Sequence, residues 1–235
     1  MNNIVSNPAF AGTITLLVYV LALKLHDRTK ISFLNPVLLS VIVLMVLINL
    51  SGVDFAAYRE GTKPIGVLLD ASVVALAYPL YLQWSIVKEE WKTILLCLLM
   101  GCLTGIVSVV FLAYALGASQ EVLLSLVPKS VTTPIALSVS ESLGGVPPLT
   151  AAVTITVGVF GSVVGLQFLK LFKIEKPESV GLAMGTAAHG LGTARVSSMG
   201  SSYAAMGGIA IALNGVFTAV LSPWIVKICL YVISV

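Results

Sequence analysis

Charged side chains are scarce in this sequence: Asp, Glu, Lys and Arg together make up 10% of its 235 residues, while 58% are hydrophobic. Soluble domains carry about 25% charged residues, so the composition excludes an ordinary soluble protein. The chain instead contains a succession of apolar runs near the roughly 20 residues that cross a bilayer as a helix. The short alternating segments typical of a membrane β-barrel are missing. We therefore predict an all-α polytopic integral membrane protein that lies in the lipid bilayer.

Motifs for catalysis, metal binding and nucleic-acid binding are missing as well. The cysteines Cys97, Cys102 and Cys229 lie within apolar runs without CxxC spacing or a Cys/His cluster, which predicts packing residues and no metal site. No nucleotide-binding loop or nucleophile elbow occurs. The net charge of +3 comes from short loops, so it bears on topology rather than on nucleic acid. We expect no enzymatic activity and no cofactor.

Short connections join the apolar segments, which predicts a single transmembrane domain over residues 1–235 with about seven or eight hydrophobic segments. The segments are residues 9–25, 34–51, 64–85, 92–117, 120–142, 147–172, 178–198 and 203–234. The last is long for one span, and Pro223 either kinks it or splits it.

Three of these segments contain residues that disturb a helix. Residues 64–85 include Asp70 and Pro79, residues 120–142 include the sequence PKSVTTP, and residues 181–195 read GLAMGTAAHGLGTAR. Proline removes a backbone donor and glycine adds backbone freedom, and at membrane depth both need protein partners or a wet cavity. The residues that we expect to break or loosen the backbone are Pro79, Pro128, Pro134, Gly185, Gly190 and Gly192.

The basic loops constrain the topology. The loops at residues 24–30 and 170–176 each carry three Lys or Arg residues, which is typical of cytoplasmic loops. If both are cytoplasmic, an even number of crossings separates them, yet five segments lie between. The simplest solution makes residues 120–142 a re-entrant hairpin, which also puts a loop predicted at residues 86–92 inside.

A weak internal repeat has an offset of 60 residues. It aligns Gly101 with Gly161, Gly105 with Gly165, Lys129 with His189 and Thr133 with Thr193. Each unit would be a glycine-faced helix followed by an interrupted segment that carries a cation and a threonine. The pattern is compatible with an inverted repeat, in which broken helices meet at a binding site near the bilayer midplane, and also with chance in a glycine-rich chain.

Lys129 is the most informative single candidate for a binding residue. It either snorkels from a helix end to the membrane surface or faces a polar cavity and pairs with an anion. The nearby hydroxyls of Ser130, Thr132 and Thr133 favour the second interpretation, because they can donate hydrogen bonds to a carboxylate while the lysine supplies charge.

The glycine-rich segment offers three further side chains. Arg195 is either a positive residue at the cytoplasmic edge of a helix or a bidentate carboxylate ligand. His189 is either a packing partner or a group that binds substrate or carries a proton, and Thr193 is a further donor. Asp70 is either a helix cap, a charge partner of Lys129 or Arg195, or a ligand for a coupling ion.

Four stretches together resemble the LrgB/CidB family over essentially the whole chain. They are LNP (34–36), VVALAYPLY (73–81), PKSVTTPIA (128–136) and GLAMGTAAHGLGTAR (181–195). The resemblance implies a multi-pass protein of the bacterial cytoplasmic (inner) membrane with a small LrgA/CidA-type membrane partner. The family is described as antiholin- or holin-like, with effects on murein hydrolase activity and autolysis, and its relatives include a plastid glycolate/glycerate translocator and bacterial pairs linked to pyruvate uptake.

Two functions therefore remain open. A carrier for small monocarboxylates of the pyruvate, lactate, glycolate or glycerate class needs convergent donors, a positive charge and mobile broken helices. A holin-like or antiholin-like protein needs little more than helices that assemble into a homo-oligomer or with the partner. Because prolines and glycines interrupt helices around buried cations, we expect the carrier.

Overall fold

The computed structural model describes residues 5–29, 36–75, 78, 81 and 84–233. Ten helices and no strands occur in this part of the chain, so the predicted all-α class is confirmed. The chain divides into two compact units, residues 1–76 and 77–235. The helices of the first unit are α1 (Pro8–Thr29), α2 (Pro36–Ser51), α3 (Phe55–Gly61) and α4 (Lys63–Ala75).

In the first unit, α1 packs against α2 and α3. Gly61 ends α3 where a Cβ would lie 2.7 Å from the Cβ of Ala11, so the small residue permits close approach. Thr15 Oγ1 and Tyr58 Oη lie 2.6 Å apart and join α1 to α3. Asp70 is part of α4, but its side chain lies outside the described residues, as does the whole of Pro79.

The second unit is built on long helices. They are α5 (Trp84–Ala115), α8 (Pro147–Leu171), α9 (Pro177–Ser197) and α10 (Ser201–Val232), with the short helices α6 (Gln120–Leu126) and α7 (Thr133–Leu143) between α5 and α8. The helices α9 and α10 pack closely together in this unit. A Cβ at Gly185 would lie 2.6 Å from the carbonyl oxygen of Gly207 and 2.7 Å from the Cβ of Ala210. Only small residues allow the two backbones to come this close.

Four helices of the described part are long and apolar enough to cross a membrane. They are Pro8–Thr29, Lys88–Ala115, Pro147–Leu171 and Ser201–Val232. These spans support a multi-pass membrane protein. The predicted count of seven or eight segments goes beyond them and stays a prediction.

Two details differ from the sequence-based expectations. The loop predicted at residues 86–92 is instead helical, because α5 begins at Trp84. Its charged residues are compatible with a helix, since Lys88, Glu89 and Glu90 are exposed. Pro223 does not split the last segment, which continues as one helix from Ser201 to Val232. Proline is tolerated in membrane helices where neighbours satisfy the freed backbone groups.

Both of the interrupted segments in the second unit are interrupted in the structure. Residues 127–132 separate α6 from α7 and do not form an α-helix. Within α9, Ala188 has φ −125° and ψ 15°, and His189 has φ 42° and ψ −131°, so the helix breaks there. Each of these two segments therefore contains a backbone break, one after α6 and one inside α9.

Candidate functional site

The first break lies at the end of a hairpin of two short helices. With about 1.5 Å rise per residue, α6 and α7 are about 10 and 16 Å long, well short of the roughly 30 Å of a bilayer core. We call residues 127–132, which join them, the tip.

A polar cluster joins both helices of this hairpin to α8. Thr150 Oγ1 lies 2.6 Å from Ser140 Oγ of α7 and 3.0 Å from the carbonyl oxygen of Ser125 in α6. The backbone N–H of Val146 donates to Ser125 Oγ at 2.7 Å. Both short helices are therefore fastened to the first turn of α8, α6 at Ser125 close to the tip and α7 at Ser140 near its far end.

Lys129 lies in the tip beside α5. Its Nζ donates to Ser130 Oγ at 3.2 Å and is 3.5 Å from the carbonyl oxygen of Gly105. Gly105 belongs to the central part of the span Lys88–Ala115, so the ammonium group lies beside the middle of that helix and not beside one of its ends. The side chain of Lys129 is half-buried, and Pro128 before it is fully buried.

Asn214 connects the tip to the second break, and the sequence analysis missed it. Its Nδ2 donates to the carbonyl oxygen of Ser130 at 3.1 Å and to that of Thr186 at 3.2 Å. The side chain is 2% exposed, and its Oδ1 has no partner among the described atoms. The available signal was a lone amide in the middle of a long apolar run, since such groups hydrogen-bond across membrane helices.

A small cavity lies next to these groups. Its volume is about 10 Å³, which is room for about one water molecule. The lining residues come from α5, the tip, α9 and α10; they are Gly101, Cys102, Gly105, Ile106, Val127, Ser130, Thr186, Asn214 and Thr218. Cys102 Sγ and Thr218 Oγ1 lie 3.5 Å apart on its wall. A carboxylate ligand needs more space, so the tip or its neighbours must move to admit one.

The second break is held by α8. His189 Nε2 lies 3.0 Å from the carbonyl oxygen of Thr154, and because a carbonyl only accepts, this nitrogen carries the proton of the ring. The side chain of His189 is 5% exposed. A Cβ at Gly158 would lie 2.7 Å from both Cε1 and Nε2 of this ring, so glycine is what leaves room for it. Ala188 packs in the same way against Gly161.

The remaining predicted site residues are spread around the two breaks. Thr132 is buried directly before α7, and Thr133 and Pro134 form the first turn of α7. Thr193 is buried against Gly207 of α10, and its Oγ1 has no partner among the described atoms. Arg195 is exposed in the last turn of α9, so the structure does not bury it beside Lys129.

The glycines that we expected to loosen the backbone differ in role. Gly185 packs against α10, and Gly192 packs against Met184 and Ala188. A Cβ at Gly190 would have nothing within 4 Å.

A second, larger cavity lies in the first unit. It is an open cleft of about 590 Å³ between the end of α2 and the start of α3, lined by Met45, Asn49, Asp54 and neighbouring residues. Its lining includes a carboxylate and no cation. Asp54 caps α3 through a 3.0 Å hydrogen bond from the backbone N–H of Ala56. The cleft therefore does not suit an anion, and the tip remains the candidate site.

Comparison with known proteins identifies relatives over almost the whole chain. A family model described as "LrgB-like family" matches residues 15–228. An uncharacterised protein YxaC of Bacillus subtilis (strain 168) is 36% identical, with 91% of this chain and 93% of that protein covered. The antiholin-like protein LrgB of Bacillus mycoides (strain KBAB4) is also 36% identical, with 92% and 94% covered. An uncharacterised protein of Haemophilus influenzae is 33% identical, with 92% and 93% covered. No solved structure matches. The resemblance inferred from the four sequence stretches is confirmed.

Proposed function

We propose a carrier function for this chain, which belongs to the LrgB-like family of multi-pass membrane proteins. The proposed substrates are small monocarboxylates of the pyruvate, lactate, glycolate and glycerate class, and the proposed location is the bacterial cytoplasmic membrane. The observation that supports the proposal most is the position of Lys129. It lies on a non-helical tip, against the central part of a long apolar helix and next to a small polar cavity.

The groups around the tip suit a carboxylate. Lys129 supplies charge, and a hydrogen bond to a charged group contributes about 1.5–3 kcal/mol. Ser130 Oγ lies next to the ammonium group. The N-terminus of α7 begins at Thr133, directly after the tip. Because the first N–H groups of a helix lack intrahelical partners and carry partial positive charge, this end favours an anion. Thr132 and Thr133 would add hydroxyl donors.

The two breaks provide the movement that a carrier needs. The cavity holds about one water molecule, so the described conformation is closed around the tip. In our proposal, the tip and the part of α9 after its break rotate as short pieces while α5, α8 and α10 stay in place. That part of α9 carries His189, Thr193 and Arg195, so its movement would change their access to a bound substrate. This is the arrangement by which broken membrane helices form alternating-access sites.

Reconstitution of the purified chain into liposomes tests the carrier. We expect uptake of labelled pyruvate or glycolate that saturates with concentration, is inhibited by other small monocarboxylates and is accelerated by unlabelled substrate inside the liposomes. We expect no release of an entrapped dye of several hundred daltons. Uptake that rises linearly with concentration, without such acceleration, contradicts the proposal.

The second candidate is an antiholin-like or holin-like membrane protein that regulates murein hydrolase activity and autolysis. It is favoured by the printed name of a relative, the antiholin-like protein LrgB of Bacillus mycoides. In this alternative the chain assembles as a homo-oligomer or with an LrgA/CidA-type partner. Release of the entrapped dye, alone or after addition of the partner, together with no saturable uptake, supports this alternative over the carrier.

A further inference from the structure

We propose that Lys129 is also the proton site of the carrier, so that each monocarboxylate anion crosses the membrane together with one proton. This inference rests on the proposed carrier function. It adds what the anion is coupled to and which side chain carries the coupled proton.

The first observation is the absence of a carboxylate partner for Lys129 in the second unit. The carboxylates of that unit lie near helix ends, and all but Glu178 are exposed; they are Glu89, Glu90, Glu121, Glu141, Glu175 and Glu178. Among the described residues, the salt bridge that forms joins Lys63 and Glu60 of the first unit. Among the described atoms, the hydrogen-bond partners of the Lys129 ammonium group are two neutral oxygens, at 3.2 and 3.5 Å.

The neighbours from each packed helix are also nearly all neutral. The cavity wall beside the tip includes Thr186 from α9, Asn214 and Thr218 from α10, and Gly105 and Cys102 from α5. Of these, Cys102 alone is titratable. It is a buried thiol next to Thr218 Oγ1, and burial in an apolar helix favours the uncharged form of a thiol.

An ammonium group without a counter-ion is unfavourable at membrane depth. Two events relieve this cost: a carboxylate binds to the charged lysine, or the lysine loses its proton. With substrate bound, Lys–NH₃⁺ and R–COO⁻ sum to zero charge. After the anion and the proton leave, Lys–NH₂ is also neutral. Both forms can change conformation without moving net charge through the apolar core, whereas the charged, empty form cannot do so cheaply. Proton and anion binding are then reciprocally coupled.

His189 is the other titratable side chain at a break, and its contacts favour a structural role. Its Nε2 is engaged with the carbonyl oxygen of Thr154, and its ring is enclosed by Gly158. A neutral imidazole satisfies this hydrogen bond, so the contact needs no change in protonation. Lys129 is half-buried and donates to Ser130, which lines the cavity, so its ammonium group is less enclosed than the His189 ring.

The experiment measures uptake of labelled pyruvate into proteoliposomes under an imposed pH difference, acidic outside, and separately under an imposed membrane potential. One proton for each anion predicts about 10-fold accumulation for a difference of one pH unit, since each unit is a tenfold ratio. It predicts no response to the potential. Saturable uptake and exchange that ignore the pH difference overturn the inference but leave the carrier standing. No saturable uptake at all contradicts the carrier itself.

The variants assign the proton to a residue. Lys129→Arg keeps the positive charge but does not release its proton at accessible pH, so it should lose accumulation driven by the pH difference, and whatever exchange of internal for external pyruvate it shows should not depend on pH. Lys170→Arg makes the same change at an exposed lysine in the last turn of α8 and should behave as the unaltered protein does. If Lys129→Arg lacks exchange, Lys129→His is the second test. Histidine titrates near neutrality, so this variant should show accumulation driven by the pH difference. Accumulation that survives in Lys129→Arg, is absent in Lys129→His, or is lost in His189→Gln with exchange intact overturns the assignment.

Discussion

The side-chain nitrogen of Asn214 lies 3.1 Å from the carbonyl oxygen of Ser130, which is 84 residues away in sequence. The same nitrogen lies 3.2 Å from the carbonyl oxygen of Thr186, three residues before the break in α9. One amide in α10 thus holds the tip and the broken helix together. The candidate site is an arrangement of two interrupted segments around a continuous helix.

We expect Asn214→Leu to destabilise the protein. The substitution leaves two part-buried carbonyl oxygens without this donor, and an unsatisfied buried group costs about 1–3 kcal/mol. The measurement is thermal unfolding in detergent, in which the unfolding temperature should fall by several degrees. Val216→Ala, at an exposed position two residues further along α10, is the control and should change it little. Equal effects of the two variants would contradict a role of Asn214 in joining the segments.

Gly158→Ala should disturb the break in α9. The added Cβ would lie 2.7 Å from two ring atoms of His189, and overpacking of this kind costs about 1–3 kcal/mol. Gly190→Ala is the matched control, since a Cβ there meets nothing within 4 Å and alanine favours helix by about 1 kcal/mol. Unfolding temperatures of both variants and of Gly158→Ala combined with His189→Ala test the contact. A combined effect equal to the sum of the single effects would show that the methyl group and the ring do not meet.

At position 189 we expect glycine to be tolerated better than alanine. Both substitutions remove the ring and its hydrogen bond to Thr154, but φ is 42° at this residue and only glycine adopts such values freely. In an ordinary helix the order is reversed, and glycine costs about 1 kcal/mol more than alanine. Thermal unfolding of His189→Gly and His189→Ala decides the order. A more stable alanine variant would mean that the break is not retained in solution.

The hairpin of α6 and α7 should be re-entrant. Its two helices are too short to cross the bilayer, and both are fastened to the first turn of α8. Single cysteines at the exposed positions Gln120 and Gly144, in a chain with Cys97, Cys102 and Cys229 replaced, should therefore react with a membrane-impermeant maleimide from the same side. Reaction from opposite sides would show that residues 120–142 cross the membrane.

The sequence predicts the class of fold and the two interruptions, because composition and proline or glycine content act locally. It does not predict where α9 breaks. Gly185, Gly190 and Gly192 suggested a glycine break, but the helix breaks at Ala188 and His189. That position depends on contacts from another helix, namely the carbonyl oxygen of Thr154 and the space left by Gly158.

Asn214 illustrates the same limit for the candidate site. A lone amide in an apolar run indicates a polar partner, but its two partners are backbone carbonyls in other segments, which carry no sequence signal. The charged residues Lys88, Glu89, Glu90 and Lys92 also predict a loop, because a group of charged residues next to an apolar run is typical of a membrane boundary. A helix that begins before the boundary satisfies the same pattern, as α5 does.

The most direct measurement is equilibrium binding of labelled pyruvate to the purified protein and to Lys129→Gln, with Lys170→Gln as the control at an exposed lysine. The account predicts saturable binding to the unaltered protein and to Lys170→Gln. It predicts binding about 10- to 100-fold weaker in Lys129→Gln, since loss of a hydrogen bond to a charged group costs about 1.5–3 kcal/mol. Equal affinity of Lys129→Gln and the unaltered protein would contradict the claim that the tip binds the carboxylate.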